Sequence, residues 1–464
     1  MSASRPASPA PDAAAPDGLV RALGPLQSVA MVVGTLIGTG IFFVSSDMIR
    51  AVHTVGWILL VWLVGGFLSL AGALAYAELG ALRPMAGGEY VYMRDGLGPL
   101  WGFLFGWGMF WIVRPASVAT IGAGFALAAR SIWPALARPL LGWSPLTGEH
   151  LVGAGVIALV SVINYFGVRQ GGQVQAVFTG LKLALVAVLT VAAFGWGHGS
   201  WAHLRQSLPG PAGAGGFAAA LVAALWAYDG WSDLTLAGSE IRDPARSIPR
   251  AMVYGIGVVF LFYAGINLAY FYLLRPATVA ASPNVASVLA ARLMGAGGGA
   301  FVAVAIMVSA FATLNSSILS GARVPFAMAR DGRFFRRLAH VHPRHHTPDV
   351  SLLIQALFAM GFSLTGTYRT LYTLTVFAEW LFYALAVASL FVFRRRGERS
   401  PFRGSGYPAL PAIFVAVAAV LLAVTYVQNL GYSTLGLAIV LAGVPAYFLF
   451  ARRPQRGGTA GSAT

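Results

Sequence analysis

The 464-residue chain contains no cysteine, one lysine and only 15 acidic residues. Without cysteine there is no disulfide, no thiol nucleophile and no cysteine-ligated zinc or iron–sulfur site. Charge of either sign is scarce, at 10% of residues against 58% hydrophobic, and the mean hydropathy is +0.73. A soluble domain of ordinary composition does not look like this. Phosphate loops, catalytic triads and zinc-protease motifs are also missing, so neither an enzyme nor a cofactor is expected. The eight histidines show no metal-ligand spacing on a helix. The group from His340 to His346 reads as a basic solvated loop, and no metal is expected.

What is present is a series of apolar runs, each near the roughly 20 residues that cross a bilayer. They read as an all-α, polytopic membrane protein of about twelve helices, near 19–48, 56–82, 97–129, 150–167, 173–195, 214–238, 250–273, 298–328, 350–366, 370–393, 409–428 and 432–451. The net charge of +16 suggests nucleic acid until its distribution is examined. With the N-terminus inside, 22 arginines fall in cytoplasmic segments and 7 in external ones. That bias is the positive-inside pattern, with both termini cytoplasmic and lipid, not nucleic acid, as the partner. Residues 1–18 are rich in Ala, Pro and Ser without an apolar core, and read as a disordered cytoplasmic tail and not as a signal peptide. Residues 452–464 read as a second tail.

Two of the runs carry their own interruptions. In the first, Gly34-Thr-Leu-Ile-Gly-Thr-Gly-Ile41 places three glycines and two threonines near mid-span. Glycine weakens a helix by ~1 kcal/mol against alanine, so this is where the helix comes undone most easily. Open backbone at that depth is tolerated only where it is buried in protein or lines a cavity. The freed N–H groups and the positive end of a half-helix suit a carboxylate. The plainer alternative is that small residues let two helices pack closely. In the sixth run, Leu225-Trp-Ala-Tyr-Asp-Gly-Trp-Ser-Asp-Leu234 brings Asp229, Gly230 and Asp233 to mid-membrane, where a carboxylate facing lipid is expensive. The first and sixth helices hold corresponding places in two five-helix halves, 19–197 and 213–394, with helices 11 and 12 in 407–451. Matched interruptions of this kind mark an inverted repeat with a site where the two breaks meet.

Thirty of the 31 basic residues are arginine, and the single lysine, Lys182, lies inside the fifth run. It sits about 12 Å along the helix from the cytoplasmic start, near mid-depth. Snorkelling to the interface from there is strained. Arginine stays charged, whereas a buried lysine changes protonation, so this position reads as one that needs an amine.

Several stretches, taken in order, resemble one family. Gly38-Thr-Gly-Ile-Phe42, Tyr76-Ala-Glu-Leu-Gly80 with Gly87-Gly-Glu-Tyr90, Arg114-Pro-Ala-Ser117, Val177-Phe-Thr-Gly-Leu-Lys182, Trp226 to Trp231 followed by Glu240-Ile-Arg-Asp-Pro244, and Asn315-Ser-Ser317 through Arg323 are similar to motifs of the amino acid–polyamine–organocation superfamily, L-type amino acid transporter branch. The resemblance spans residues 19–393. It implies a bacterial-type permease of the cytoplasmic membrane with a 5+5 inverted repeat of the leucine-transporter type, helices 1 and 6 unwound, moving L-amino acids by exchange or proton-linked uptake. A polyamine or organic-cation transporter and a non-transporting amino acid receptor are the rivals. The resemblance further implies that backbone at Gly38, Thr39 and Gly40 holds the substrate carboxylate. Carbonyls near Leu36 and around Trp226, Asp229 and Gly230 would meet its amine. Trp226 would cover the site from outside, and Phe377 and Trp380 of helix ten would line the side-chain pocket. Lys182 would stand in for a coupling ion, between helix one and Ser316 and Ser317 of helix eight. The chain departs from the family at Thr39, where serine is usual, and at Glu379, an acid where a neutral residue is expected. Animal members hold a glycoprotein subunit through a cysteine, and a chain without cysteine has no such linkage.

Overall fold

The computed structural model describes residues 23–85, 87–141, 144–166, 172–210, 213–345 and 347–451, so both expected tails lie outside the described residues. The described residues are mostly helical, with short loops and turns between the helices. In a bilayer every backbone N–H must find its acceptor inside the protein, and long apolar runs satisfy this only as helices.

The elements in order are α1 Pro25–Leu36, α2 Gly40–Val52, α3 Val55–Leu82, α4 Glu89–Gly96, α5 Pro99–Gly108, α6 Arg114–Ile132, α7 Gly148–Tyr165, α8 Gly172–Gly195, α9 Ala214–Ala227, α10 Asp233–Leu236, α11 Pro244–Leu273, α12 Pro276–Ala281, α13 Val285–Arg330, α14 Asp349–Thr365, α15 Tyr368–Arg395, α16 Ala409–Gln428 and α17 Leu430–Ala451. Ten helices or joined pairs are long and apolar enough to cross a membrane. The shorter apolar helices Ala214–Ala227 and Asp349–Thr365 bring these ten to the twelve expected from sequence. A π-helical turn, Met109–Val113, joins α5 to α6 into one span. A kink at Gly295, φ +76°, bends α13.

Both expected breaks are present. α1 stops at Leu36, and the chain resumes as α2 at Gly40, leaving Ile37, Gly38 and Thr39 outside helix. α9 stops at Ala227, and a turn through Gly230, φ +107°, leads to the short α10. Only glycine adopts that φ readily, which fixes the residue at the second break. The two breaks lie against each other. Thr35 Oγ1 donates to Gly230 O at 3.0 Å, across 195 residues of sequence.

The helix halves also pack too closely for side chains. A Cβ on Gly40 would lie 2.7 Å from Ala227 Cα and 2.9 Å from its Cβ. A Cβ on Gly38 would meet nothing nearer than 3.8 Å. Gly40→Val should therefore destabilise the fold by about 1–3 kcal/mol through overpacking. Gly38→Ala should stay close to wild type. Thermal unfolding of the detergent-solubilised protein distinguishes them, and equal midpoints for the two variants would refute this reading of the crossing.

Candidate functional site

The two breaks enclose a cavity of about 40 Å³. Its lining draws Leu36, Gly38, Thr39 and Gly40 from the first break, and Trp226, Asp229, Gly230 and Asp233 from the second. Thr35 of α1, Thr313 and Ser317 of α13, Arg114, Ser117 and Ile121 of α6, and Glu379 of α15 complete it. Small and polar groups dominate. The first amides of α2 point into the break with no intrahelical acceptor, as at any helix start.

Open carbonyls at the break are pinned from a neighbouring helix. Tyr263 Oη on α11 lies 2.7 Å from Leu36 O and 2.9 Å from Ala227 O, the last residues of the two preceding half-helices. A buried tyrosine needs a partner for its hydroxyl, and here its one proton is shared between the two helix ends. Trp62 and Tyr228 pack edgewise and tilted against the same ring, at centroid distances of 5.2 Å each.

Each face of the cavity is closed by side chains. Towards the face where α2 ends and α15 begins, Trp226 Nε1 donates to Tyr368 Oη at 3.0 Å. Tyr368 Oη also shares a hydrogen bond of 3.2 Å with Thr39 Oγ1. Beyond this layer lies a vestibule of about 380 Å³ whose lining includes Asp47, Arg50, Arg130, Glu149 and Arg369. Towards the other face, which carries the start of α1 and the end of α15, Arg114 pairs with Asp233. Tyr383 Oη lies 3.0 Å from Ser232 Oγ and donates to Asp229 Oδ1 at 2.9 Å. Glu89, at the start of α4 next to this layer, is 2% exposed, and burial pushes its carboxyl up from 4.5 to about 7 against the pull of its own backbone amide and of Arg114. The cavity is thus occluded from both faces.

Lys182 is buried behind the cavity. Its Nζ donates to Gly34 O at 3.0 Å and to Thr313 Oγ1 at 2.6 Å. It joins α8 to the last turn of α1 and to α13. Sequence reasoning placed this link at Ser316 and Ser317. The structure places it one turn earlier, at Thr313. Ser317 lines the cavity, while Ser316 Oγ turns back to Ala312 O at 3.3 Å.

Helix ten also differs in register from the expectation. Trp380 stacks on Phe414 of α16 at 5.1 Å, and Phe377 faces Gly436 of α17. Neither lines the cavity, whereas Glu379 between them does. Successive residues on a helix are about 100° apart, so one face of α15 cannot present 377, 379 and 380 together. Sequence reasoning also missed Tyr263, Tyr368 and Tyr383. Their only signal was a hydroxyl inside an apolar helix.

The model of the family described as "Amino acid permease" matches residues 23–460. The serine/threonine exchanger SteT of Bacillus subtilis (strain 168) is 33% identical over 442 residues, covering 94% of this chain and 98% of that protein. The b(0,+)-type amino acid transporter 1 of Mus musculus is 28% identical over 93% of this chain and 88% of its own length. The large neutral amino acids transporter small subunit 2 of Homo sapiens is 30% identical over 93% and 80%. With two helix breaks meeting at an occluded polar cavity and a family match along nearly its whole length, the chain belongs to the amino acid permease family.

Proposed function

We propose that this permease carries small L-amino acids, serine and threonine foremost, across the cytoplasmic membrane by exchange through alternating access. The observation that carries the reading is the small cavity between the two helix breaks, closed by a separate layer on each face. The substrate carboxylate would sit on the amides of Thr39 and Gly40, at the positive end of α2. Its ammonium would meet the carbonyls near Leu36 and at Trp226 to Asp229. The cavity is small and its lining is mostly small and polar, which favours a short side chain. The name of the Bacillus subtilis relative, a serine/threonine exchanger, supports the same class.

The arginine-rich face, with Arg83, Arg94, Arg394 and the start of α1, is assigned to the cytoplasm. Trp226, Thr39 and Tyr368 then form the outer gate, and Arg114–Asp233 the inner one. The two five-helix halves would be inverted repeats, with α1, α2, α9 and α10 rocking as part of one bundle against the remainder.

Proteoliposomes test the proposal. Vesicles preloaded with unlabelled serine should take up labelled serine several-fold faster than empty vesicles, and putrescine, which has no carboxylate, should not compete. Uptake of putrescine in place of serine, or of no small amino acid at all, would overturn it.

Two further outcomes follow from the geometry. Trp226→Ala removes the indole and its bond to Tyr368, so outer closure should fail. Apparent serine affinity should fall about tenfold or more, a loss of ~1.4 kcal/mol, with slower turnover; unchanged uptake would make Trp226 a packing residue. Lys182→Ala cuts the link from α8 to Gly34 beside the first break and to α13, and Thr313→Val cuts the link to α13 alone. Both should lose most exchange while keeping measurable serine binding in a scintillation-proximity assay. Lys182→Arg should not rescue, because the fork of a guanidinium does not fit the geometry made by one amine. Full exchange in the alanine variant would reduce Lys182 to a membrane-packing residue.

A further inference from the structure

The loop that joins α13 to α14 lies on the arginine-rich face. From 330 to 348 the sequence carries five arginines and one aspartate. The loop is fastened to the helices at both ends. Phe334 is buried, its ring 6.2 Å from Phe103 of α5 and 5.2 Å from Phe110 of the π-helical turn. Leu338, in a 3₁₀ turn over Arg336–Ala339, is buried as well. Further on, Thr347 Oγ1 donates to Tyr165 O, in the last turn of α7, at 3.0 Å.

These anchors leave the residues between them facing outward. Phe335 is 41% exposed, and its ring lies 5.1 Å from that of Phe450 near the end of α17. Phe448 and Leu449, next to Phe450, are exposed apolar residues on a helix long enough to span the membrane. Phe335 therefore continues a lipid-facing surface past the end of that helix, and the exposed Arg336 and Arg337 follow it directly. Their charge is not spent inside the protein. Elsewhere on this face Arg83 pairs with Glu398, Arg94 with Asp95, Arg323 with Glu240 and Arg394 with Glu78. Among the described residues, Arg336, Arg337 and Arg344 make no ion pair. The acids nearest in sequence are already engaged. Asp331 accepts from Tyr90 Oη at 3.3 Å and faces Arg94 at 3.9 Å, and Asp349 holds His340 at 2.8 Å.

We propose that the α13–α14 loop binds an anionic phospholipid of the adjacent leaflet, with Arg336 and Arg337 on its headgroup and Phe335 against its acyl chains. Guanidinium forks match the oxygens of a phosphodiester, and basic clusters at a helix end draw anionic lipid to the surface. A zwitterionic headgroup brings its own cation and gains less from two fixed positive charges. A free phosphate uses the arginines but leaves Phe335 without a partner, so the exposed ring at the lipid boundary selects the lipid. The surface lies outside the cavity between the helix breaks and does not depend on which amino acid is carried.

Native mass spectrometry of the purified full chain, released from non-ionic detergent, reads occupancy of the first bound lipid. Phosphatidylglycerol and phosphatidylcholine with the same acyl chains are to be titrated in turn. The wild type should prefer phosphatidylglycerol on the order of tenfold or more. The double variant Arg336→Gln with Arg337→Gln should lose roughly 20-fold in phosphatidylglycerol affinity, about fivefold for each arginine, and hold phosphatidylcholine as before. Either single variant, should the double not fold, should show the fivefold loss. Arg395→Gln with Arg399→Gln, at two other exposed arginines of the same face, should leave the preference unchanged. Phe335→Ser should weaken phosphatidylglycerol several-fold. Inorganic phosphate should displace the lipid no better than chloride at equal ionic strength. No preference in the wild type, or an equal loss in the two double variants, would reduce the loop to one part of a generally basic face and overturn the proposal. Displacement by phosphate beyond that by chloride, or unaltered lipid binding in Phe335→Ser, would make the loop a free-anion site and overturn it as well.

Discussion

The structure depends on one constraint, that backbone opened at mid-membrane must be re-satisfied by protein. α1 and α9 both end inside the bilayer, and each ends on carbonyls that water does not reach. Tyr263 meets both Leu36 O and Ala227 O, and Thr35 ties the first break to Gly230 of the second. Lys182 takes Gly34 O two residues further back. These contacts give the carbonyls of the breaks one partner each from behind and leave each a second lone pair. The amides at the start of α2 are left facing the cavity, which gives the site its polarity. The same arrangement thus holds the fold together and produces the place where an amino acid would be bound.

The layers that close the cavity grow out of the same elements. Trp226 belongs to the last turn before the second break and Thr39 to the first break, and Tyr368 of α15 joins them. On the other face Asp229 and Ser232, just past Gly230 or before it, are held by Tyr383 of the same α15. One helix therefore touches both layers, 15 residues apart along its length. A movement of the two broken helices relative to α15 would loosen one layer while tightening the other. The Arg114–Asp233 pair adds a charged contact on the face opposite Trp226 and Tyr368. Its desolvation is offset only while the two remain together, so it favours a discrete closed state over a gradual one.

The sequence made the breaks legible because glycine and acid are conspicuous in runs that are otherwise apolar. Gly38, Gly40, Asp229 and Gly230 stood out for that reason, as did Lys182 in a chain that otherwise uses arginine. Thr313 was nearly visible: it is four residues before Ser317 and shares its face of α13, but nothing in the sequence fixes which turn meets an amine on α8. The family resemblance implies that Phe377 and Trp380 line a side-chain pocket. On α15 they instead fill the interfaces with α17 and α16, and the register turns the acid between them to the cavity. Tyr263, Tyr368 and Tyr383 are three of 16 tyrosines. Their roles depend on which carbonyl, hydroxyl or carboxylate lies opposite, and that is settled only by tertiary packing.

The absence of cysteine gives a direct way to test the location of the site. Ser317→Cys would place the chain's single thiol in the cavity lining with little change of volume. A small membrane-permeant thiol reagent should label it at a rate set by gate opening, and saturating serine should slow that labelling at least tenfold. Labelling that proceeds at the same rate with and without serine, in a variant that still exchanges serine, would contradict the placement of the substrate between the two broken helices.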